Sequence, residues 1–90
     1  MLGTLGGAMQ VSVLFFAALR DRVGQSSLVL ELPPEVRTVS SLSDHLEHSI
    51  SALGGQLGSV RFAVNEQFAE PSLRLSDGDV VALIPPVSGG

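Results

Sequence analysis

Residues 38–53 repeat their apolar side chains at three- and four-residue steps, while the other apolar runs in the chain read as strands. Val39, Leu42, Leu46, Ile50 and Leu53 line one side of an amphipathic helix. Thr38 is placed to cap its start and Gly54-Gly55 to end it. A chain of 90 residues has room for one small domain with a thin core. A single helix and several strands bury their apolar sides only against one another, as two packed layers.

Residues 10–17 (QVSVLFFA) are rich in Val and Phe and predict a first strand. Its alternation separates Val11, Val13 and Phe15 from Ser12, Leu14 and Phe16. Residues 18–23 predict one or two helical turns closed by Gly24. Ser27–Leu32 predicts the second strand of a hairpin, and Pro33-Pro34 blocks its continuation. Residues 60–64 predict a third strand, Asn65-Glu66-Gln67 a turn, and residues 68–69 a short return strand. Ser76-Asp77-Gly78-Asp79 is turn chemistry. Val80–Ile84 is an unbroken apolar run, the pattern of a strand buried at a sheet centre. The simplest fold with this order is α+β: a β-grasp, or ubiquitin-like, roll, with a mixed sheet and one main helix packed on one face. The domain spans residues 10–84. The glycine-rich residues 1–9 read as a disordered extension, with Met9 also fitting as the start of the domain. Residues 85–90 read as an extended, flexible tail.

Composition excludes several kinds of chemistry. The net charge of −4 does not suit a nucleic-acid binder or a polybasic membrane anchor. All five basic residues are arginines, so there is no side-chain amine to form a Schiff base, grip a phosphate or accept an acyl group. Cysteine is absent, which removes disulfides, thiolate catalysis and Cys-ligated zinc. No apolar run is long enough to span a bilayer, and residues 1–10 lack the pattern of a secretion signal. A cytoplasmic location is the expectation.

Chemistry points instead to the end of the chain. Pro85-Pro86-Val87-Ser88-Gly89-Gly90 follows the last strand directly. Six extended residues reach roughly 20 Å. The prolines stiffen the exit and keep it from pairing back onto the sheet. The glycines remove every side chain near the terminus, so the backbone can thread a narrow channel. A carboxylate is a poor electrophile until its oxygen becomes a leaving group, which adenylation by ATP achieves. Sulfur can then attack to give a thiocarboxylate, or an amine to give a conjugate. The chain has no phosphate loop and no base–nucleophile pair, so partners must perform both steps. The plainer reading is a frayed Gly-Gly end.

Two stretches carry a resemblance. Residues 13–20 (VLFFAALR) and 75–90 (LSDGDVVALIPPVSGG), with Ala63-Val64-Asn65 between them, resemble the small-subunit (MoaD) family of molybdopterin synthase, ubiquitin-like sulfur carriers. The resemblance covers residues 10–90, and the helix matches in pattern only. It implies that Gly90, preceded by Gly89, is adenylated and converted to a thiocarboxylate. Sulfur then passes to cyclic pyranopterin monophosphate to form the dithiolene of molybdopterin, in molybdenum cofactor biosynthesis. It further implies a large catalytic subunit, a ubiquitin-activating-like adenylyltransferase that uses ATP and Mg, and a cysteine desulfurase or rhodanese-like sulfur relay. The assembly implied is a heterotetramer. The chain itself binds no cofactor and supplies no catalytic machinery beyond the sulfur-donating tail.

Other residues are candidates for contact with partners. If Val11, Val13 and Phe15 face the helix, Phe16 points to the opposite side of the sheet, and Ile84 does likewise on the last strand. Together with Phe68 they form a candidate docking patch; the resemblance gives matching positions that role, with Pro85, Pro86, Val87 and Ser88 leading away as the inserted tail. The plainer alternative is a second small core. Arg20 is a candidate partner contact. His45 and His48, with Asp44 and Glu47, read as a solvated helix face; no metal site is expected there or at Asp77-Gly78-Asp79. Three functional alternatives share the tail: a sulfur carrier for thiamine or tRNA thiolation, a ubiquitin-like protein modifier, and an interaction module with an inert end.

Overall fold

The structure is a computed structural model and describes residues 9–86. The expected extension before Met9 and the tail residues 87–90 lie outside the described residues. Strand β1 (Met9–Phe15) starts one residue before the predicted strand, because Met9 already pairs with Leu32. It ends at Phe15, since Ala17 takes φ 51 and turns the chain into helix α1 (Ala17–Val23). Gly24 closes α1 at φ 84, its N–H donating to the Arg20 carbonyl. That left-handed conformation carries little cost for glycine. Strand β2 (Ser27–Leu32) then runs back antiparallel along β1.

Helix α2 (Val39–Ser49) opens with a reciprocal cap. Thr38 Oγ1 accepts from the Ser41 N–H at 3.1 Å, and Ser41 Oγ accepts from the Thr38 N–H at 2.9 Å. Two N–H groups without helical partners are satisfied in this way. Val39, Leu42 and Leu46 are buried as expected. The predicted continuation to Leu53 is not a single helix. Ile50 is extended (φ −119, ψ 103), and a separate 3-10 turn, Ser51–Leu53, follows. The Glu47 carboxylate accepts from the Leu57 N–H at 3.0 Å. This draws the following loop back toward the helix end, while Leu53 still reaches full burial.

Strands β3 (Arg61–Val64), β4 (Gln67–Phe68) and β5 (Val80–Ile84) complete a sheet of order β2-β1-β5-β3-β4. β5 is parallel to β1 and antiparallel to β3. The first and last strands therefore lie side by side within the sheet, with the intervening chain as the crossover a parallel pair requires. The return strand begins at Gln67, one residue earlier than predicted, because Asn65 (φ 51) and Glu66 (φ 73) alone make the turn. Positive φ at both centres gives the sense of twist that suits a two-residue hairpin. The core joins Val11, Val13 and Phe15 of β1 with Val81 and Leu83 of β5, under Leu42 and Leu46 of α2.

Candidate functional site

Among the described residues, only one face of the sheet is covered. β5 reads as doubly buried from its composition, but Val81 and Leu83 are fully buried while Val80 is exposed and Ala82 and Ile84 are half-buried. The apolar run thus serves two surfaces. Register assembles the second. Phe16 keeps an extended backbone (φ −125, ψ 154), so strand alternation continues past the buried Phe15 and turns the Phe16 ring outward, 44 % exposed. It stands one step beyond the Phe15–Leu83 pair, beside Ile84. Across β5, Ile84 pairs with Arg61 and Ala82 with Ala63, and Ala63 in turn pairs with Phe68. Phe68 is 63 % exposed.

Phe16, Ile84 and Phe68, three separated stretches of sequence, are therefore brought onto one surface. Leu14, Val80 and Ala82 join them, lining with Phe16, Asn65 and Glu66 a groove of about 560 Å³. Val29 on β2 shares this side through its pairing with Ser12. An exposed apolar surface of this kind is suited to seating another molecule. Leu14 was legible as a companion of Phe16 from alternation. Val80 and Ala82 were missed although alternation with Ile84 places them on its side; Arg61 was missed because its place beside Ile84 depends on which strands pair.

Hydrogen bonds hold the base of this surface. Asn65 Nδ2 donates to Asp79 Oδ1 at 3.0 Å, and Asn65 Oδ1 accepts from the Val80 N–H at 3.0 Å. Asp79 Oδ2 accepts from the Ser76 N–H at 2.8 Å, and Asp77 Oδ1 accepts from the Gln10 N–H at 2.8 Å. The 76–79 turn, with Gly78 at φ 89, is thus tied both to the β3–β4 turn and to the start of β1. Its carboxylates are engaged by backbone and amide donors, as in a structural turn.

At the other end of β5, Ile84 leads to half-buried Pro85 and exposed Pro86. Val87, Ser88, Gly89 and Gly90 lie outside the described residues. Arg20 is exposed on α1, one helical turn beyond Phe16. The histidines serve the helix: His48 Nδ1 lies 2.8 Å from the Asp44 carbonyl, and His45 Nε2 lies 3.4 Å from Ser49 Oγ. Among the described residues no three His, Cys, Asp or Glu side chains gather as a metal site. No helix among them is long and apolar enough to cross a membrane.

Fold and surface together define a class: a ubiquitin-like β-grasp domain whose sheet leaves one apolar face uncovered by the described residues. The chain belongs to the ThiS family, which matches it over residues 13–90. It is 37 % identical over 82 residues to the molybdopterin synthase sulfur carrier subunit of Escherichia coli, covering 89 % of this chain and 99 % of that protein. The subunit of the same name from Chlamydomonas reinhardtii is 36 % identical over 84 residues, covering 91 % and 100 %. Among solved structures, the putative molybdopterin converting factor subunit 1 of Pyrococcus furiosus matches with a TM-score of 0.78 at 28 % identity, covering 89 % of this chain and 100 % of that one. A complex of subunits 1 and 2 of molybdopterin-converting factor from Helicobacter pylori matches with a TM-score of 0.67 at 28 % identity, covering 91 % and 100 %. Small archaeal modifier protein 1 of Methanosarcina acetivorans matches with a TM-score of 0.75 at 25 % identity, covering 94 % and 100 %. The resemblance drawn from residues 13–20 and 75–90 is borne out by these relatives.

Proposed function

We propose that this chain is the sulfur-carrier subunit of a molybdopterin synthase. The observation that carries the reading is the uncovered apolar face running through Phe16 and Ile84 to Pro85, where the tail departs. A partner seated on that face receives the tail in a fixed direction. The kinship with sulfur carrier subunits and with one half of a two-subunit complex supports the same reading.

In this reading an adenylyltransferase uses ATP and Mg to convert the Gly90 carboxylate to an acyl-adenylate, releasing pyrophosphate. The outer sulfur of a relay-protein persulfide attacks the carbonyl carbon, and AMP leaves. A second thiol then attacks the inner sulfur of the resulting acyl disulfide, forming a disulfide with the relay protein and leaving a thiocarboxylate on Gly90. The face then docks on a large catalytic subunit, and Gly89-Gly90 carry the sulfur to cyclic pyranopterin monophosphate. Water restores the carboxylate, and the carrier returns for another sulfur. The side chains of this protein dock and aim; none is asked to act as nucleophile or base.

Intact-mass measurement with thiol alkylation tests this directly. After incubation with the adenylyltransferase, ATP and a sulfur source, a chain without cysteine gains an alkylatable group only at a thiocarboxylate. Alkylation mapped to the peptide ending in Gly90, and lost when Gly90 is deleted, is expected. No alkylation with a demonstrably active enzyme overturns the proposal. A second reading, a modifier joined through Gly90 to lysines of other proteins, is favoured by the likeness to small archaeal modifier protein 1. It predicts adducts of higher mass carrying the Gly90 remnant.

A further inference from the structure

A cationic side chain lies within the uncovered face, whose groove Glu66 helps to line. Arg61 is the register partner of Ile84 on β3, and its guanidinium carbon lies 4.4 Å from the centre of the Phe68 ring. Its neighbour Phe62 is buried in the core, so strand alternation sets Arg61 on the outer side. The cation thus sits between Ile84 and Phe68. A partner that covers both apolar side chains must also cover Arg61.

Covering it has a definite consequence. A guanidinium does not lose its proton in a protein, so Arg61 enters the interface charged. A buried charge without a counter-charge is strongly unfavourable, and the face of Phe68 offsets only part of that. Contact with the ring restrains the guanidinium near the sheet surface, and its planar fork suits a two-point bond to a carboxylate. The rest of the chain is acidic, with a net charge of −4. An acidic partner side chain is therefore repelled by the protein at large and accepted where a cation waits, which favours one seating over others.

We infer that Arg61 is a specificity-determining residue of the docking face. The partner surface that covers Ile84 and Phe68 presents a carboxylate to the Arg61 guanidinium, beside the point where the tail departs. This deepens the carrier reading and rests on it.

The test is equilibrium and stopped-flow binding of the full-length chain to the large synthase subunit, using R61Q, R61K, R61E and F68A variants. Arg61 is exposed in the free protein, so thermal unfolding of the Arg61 variants is expected to match the parent. Loss of one member of a covered charge pair should weaken binding at least about thirtyfold in R61Q, and further in R61E. R61K, which keeps charge without the planar fork, should fall between R61Q and the parent. Exchanging the facing partner acid for arginine should restore binding to R61E. R61Q binding within about twofold of the parent, while F68A binds weakly, overturns the role of Arg61 and leaves the docking face standing. A parent chain that does not bind the large subunit overturns both.

Discussion

Asn65 and Asp79 meet side chain to side chain at 3.0 Å, across the gap between the β3–β4 turn and the turn that starts β5. The same amide carbonyl accepts the Val80 N–H, and the Asn65 N–H donates to the Val80 carbonyl at 2.8 Å. One residue therefore fixes where β5 begins, and with it the side to which Ile84 faces four residues later. Asn65 is suited to this post because it tolerates its φ of 51 better than most residues. Replacing it with alanine removes these side-chain bonds and leaves the left-handed backbone unsupported. Asn65→Ala should cost about 1–2 kcal/mol, read as a lower urea midpoint with an unchanged slope. An unchanged midpoint would show that the turn holds without this network.

Adjacent residues of β5 should separate stability from binding. Leu83 is fully buried against the helix layer, so Leu83→Ala should destabilise by about 2–5 kcal/mol. Ile84 faces the other way and is half-buried. Ile84→Ala should cost about 1 kcal/mol of stability yet weaken large-subunit binding about tenfold or more. Calorimetry of both variants, paired with thermal melts, checks this. Equal effects of the two on stability would contradict the two-sided reading of the strand.

Phe68 offers the cleaner test of the docking face. It is 63 % exposed at the edge of the sheet, so Phe68→Ala should leave the melting temperature within a few degrees of the parent. Covering a large apolar side chain contributes about 1.5–3 kcal/mol, and that amount should be missing from binding in a titration against the large subunit. A Phe68→Ala chain that binds as well as the parent would remove Phe68 from the interface.

The β3–β4 turn leaves stability to be gained. Glu66 is exposed and holds φ 73, a conformation that favours glycine and that an Asn-Gly pair adopts readily. Glu66→Gly relieves that strain, offset in part by the added freedom of the unfolded chain. A net gain of about 0.5 kcal/mol is expected, measured as a higher midpoint in urea. A loss would mean that the Glu66 side chain contributes more than its backbone costs.

The cap of α2 should behave as a unit. Thr38 and Ser41 exchange side-chain bonds with each other's backbone, so Thr38→Ala should cost about 1 kcal/mol. The double replacement with Ser41→Ala should cost less than the sum of the single ones, because each half of the box relies on the same geometry. Additive losses in a double-mutant cycle would show two independent bonds instead.

Much of this protein was legible in its residues alone. Alternation in β1 assigned Val11, Val13 and Phe15 to the core, and the repeat at Val39, Leu42 and Leu46 assigned the helix face, because both are local periods set by backbone geometry. The turn at residues 76–79 and the end of β5 before Pro85-Pro86 were equally plain, since glycine, proline and aspartate act on the chain next to them. Tertiary structure decided the rest. A run such as Val80–Ile84 has the same composition whether its second face is core or docking surface, and only the absence of a covering layer among the described residues separates the two. The helix breaks at Ile50, which turns extended before the 3-10 turn Ser51–Leu53, although the apolar repeat itself runs on to Leu53. Arg61 between Ile84 and Phe68 was hidden as well: those residues lie apart in the chain and meet through strand register, which is a property of paired backbones and not of any one segment.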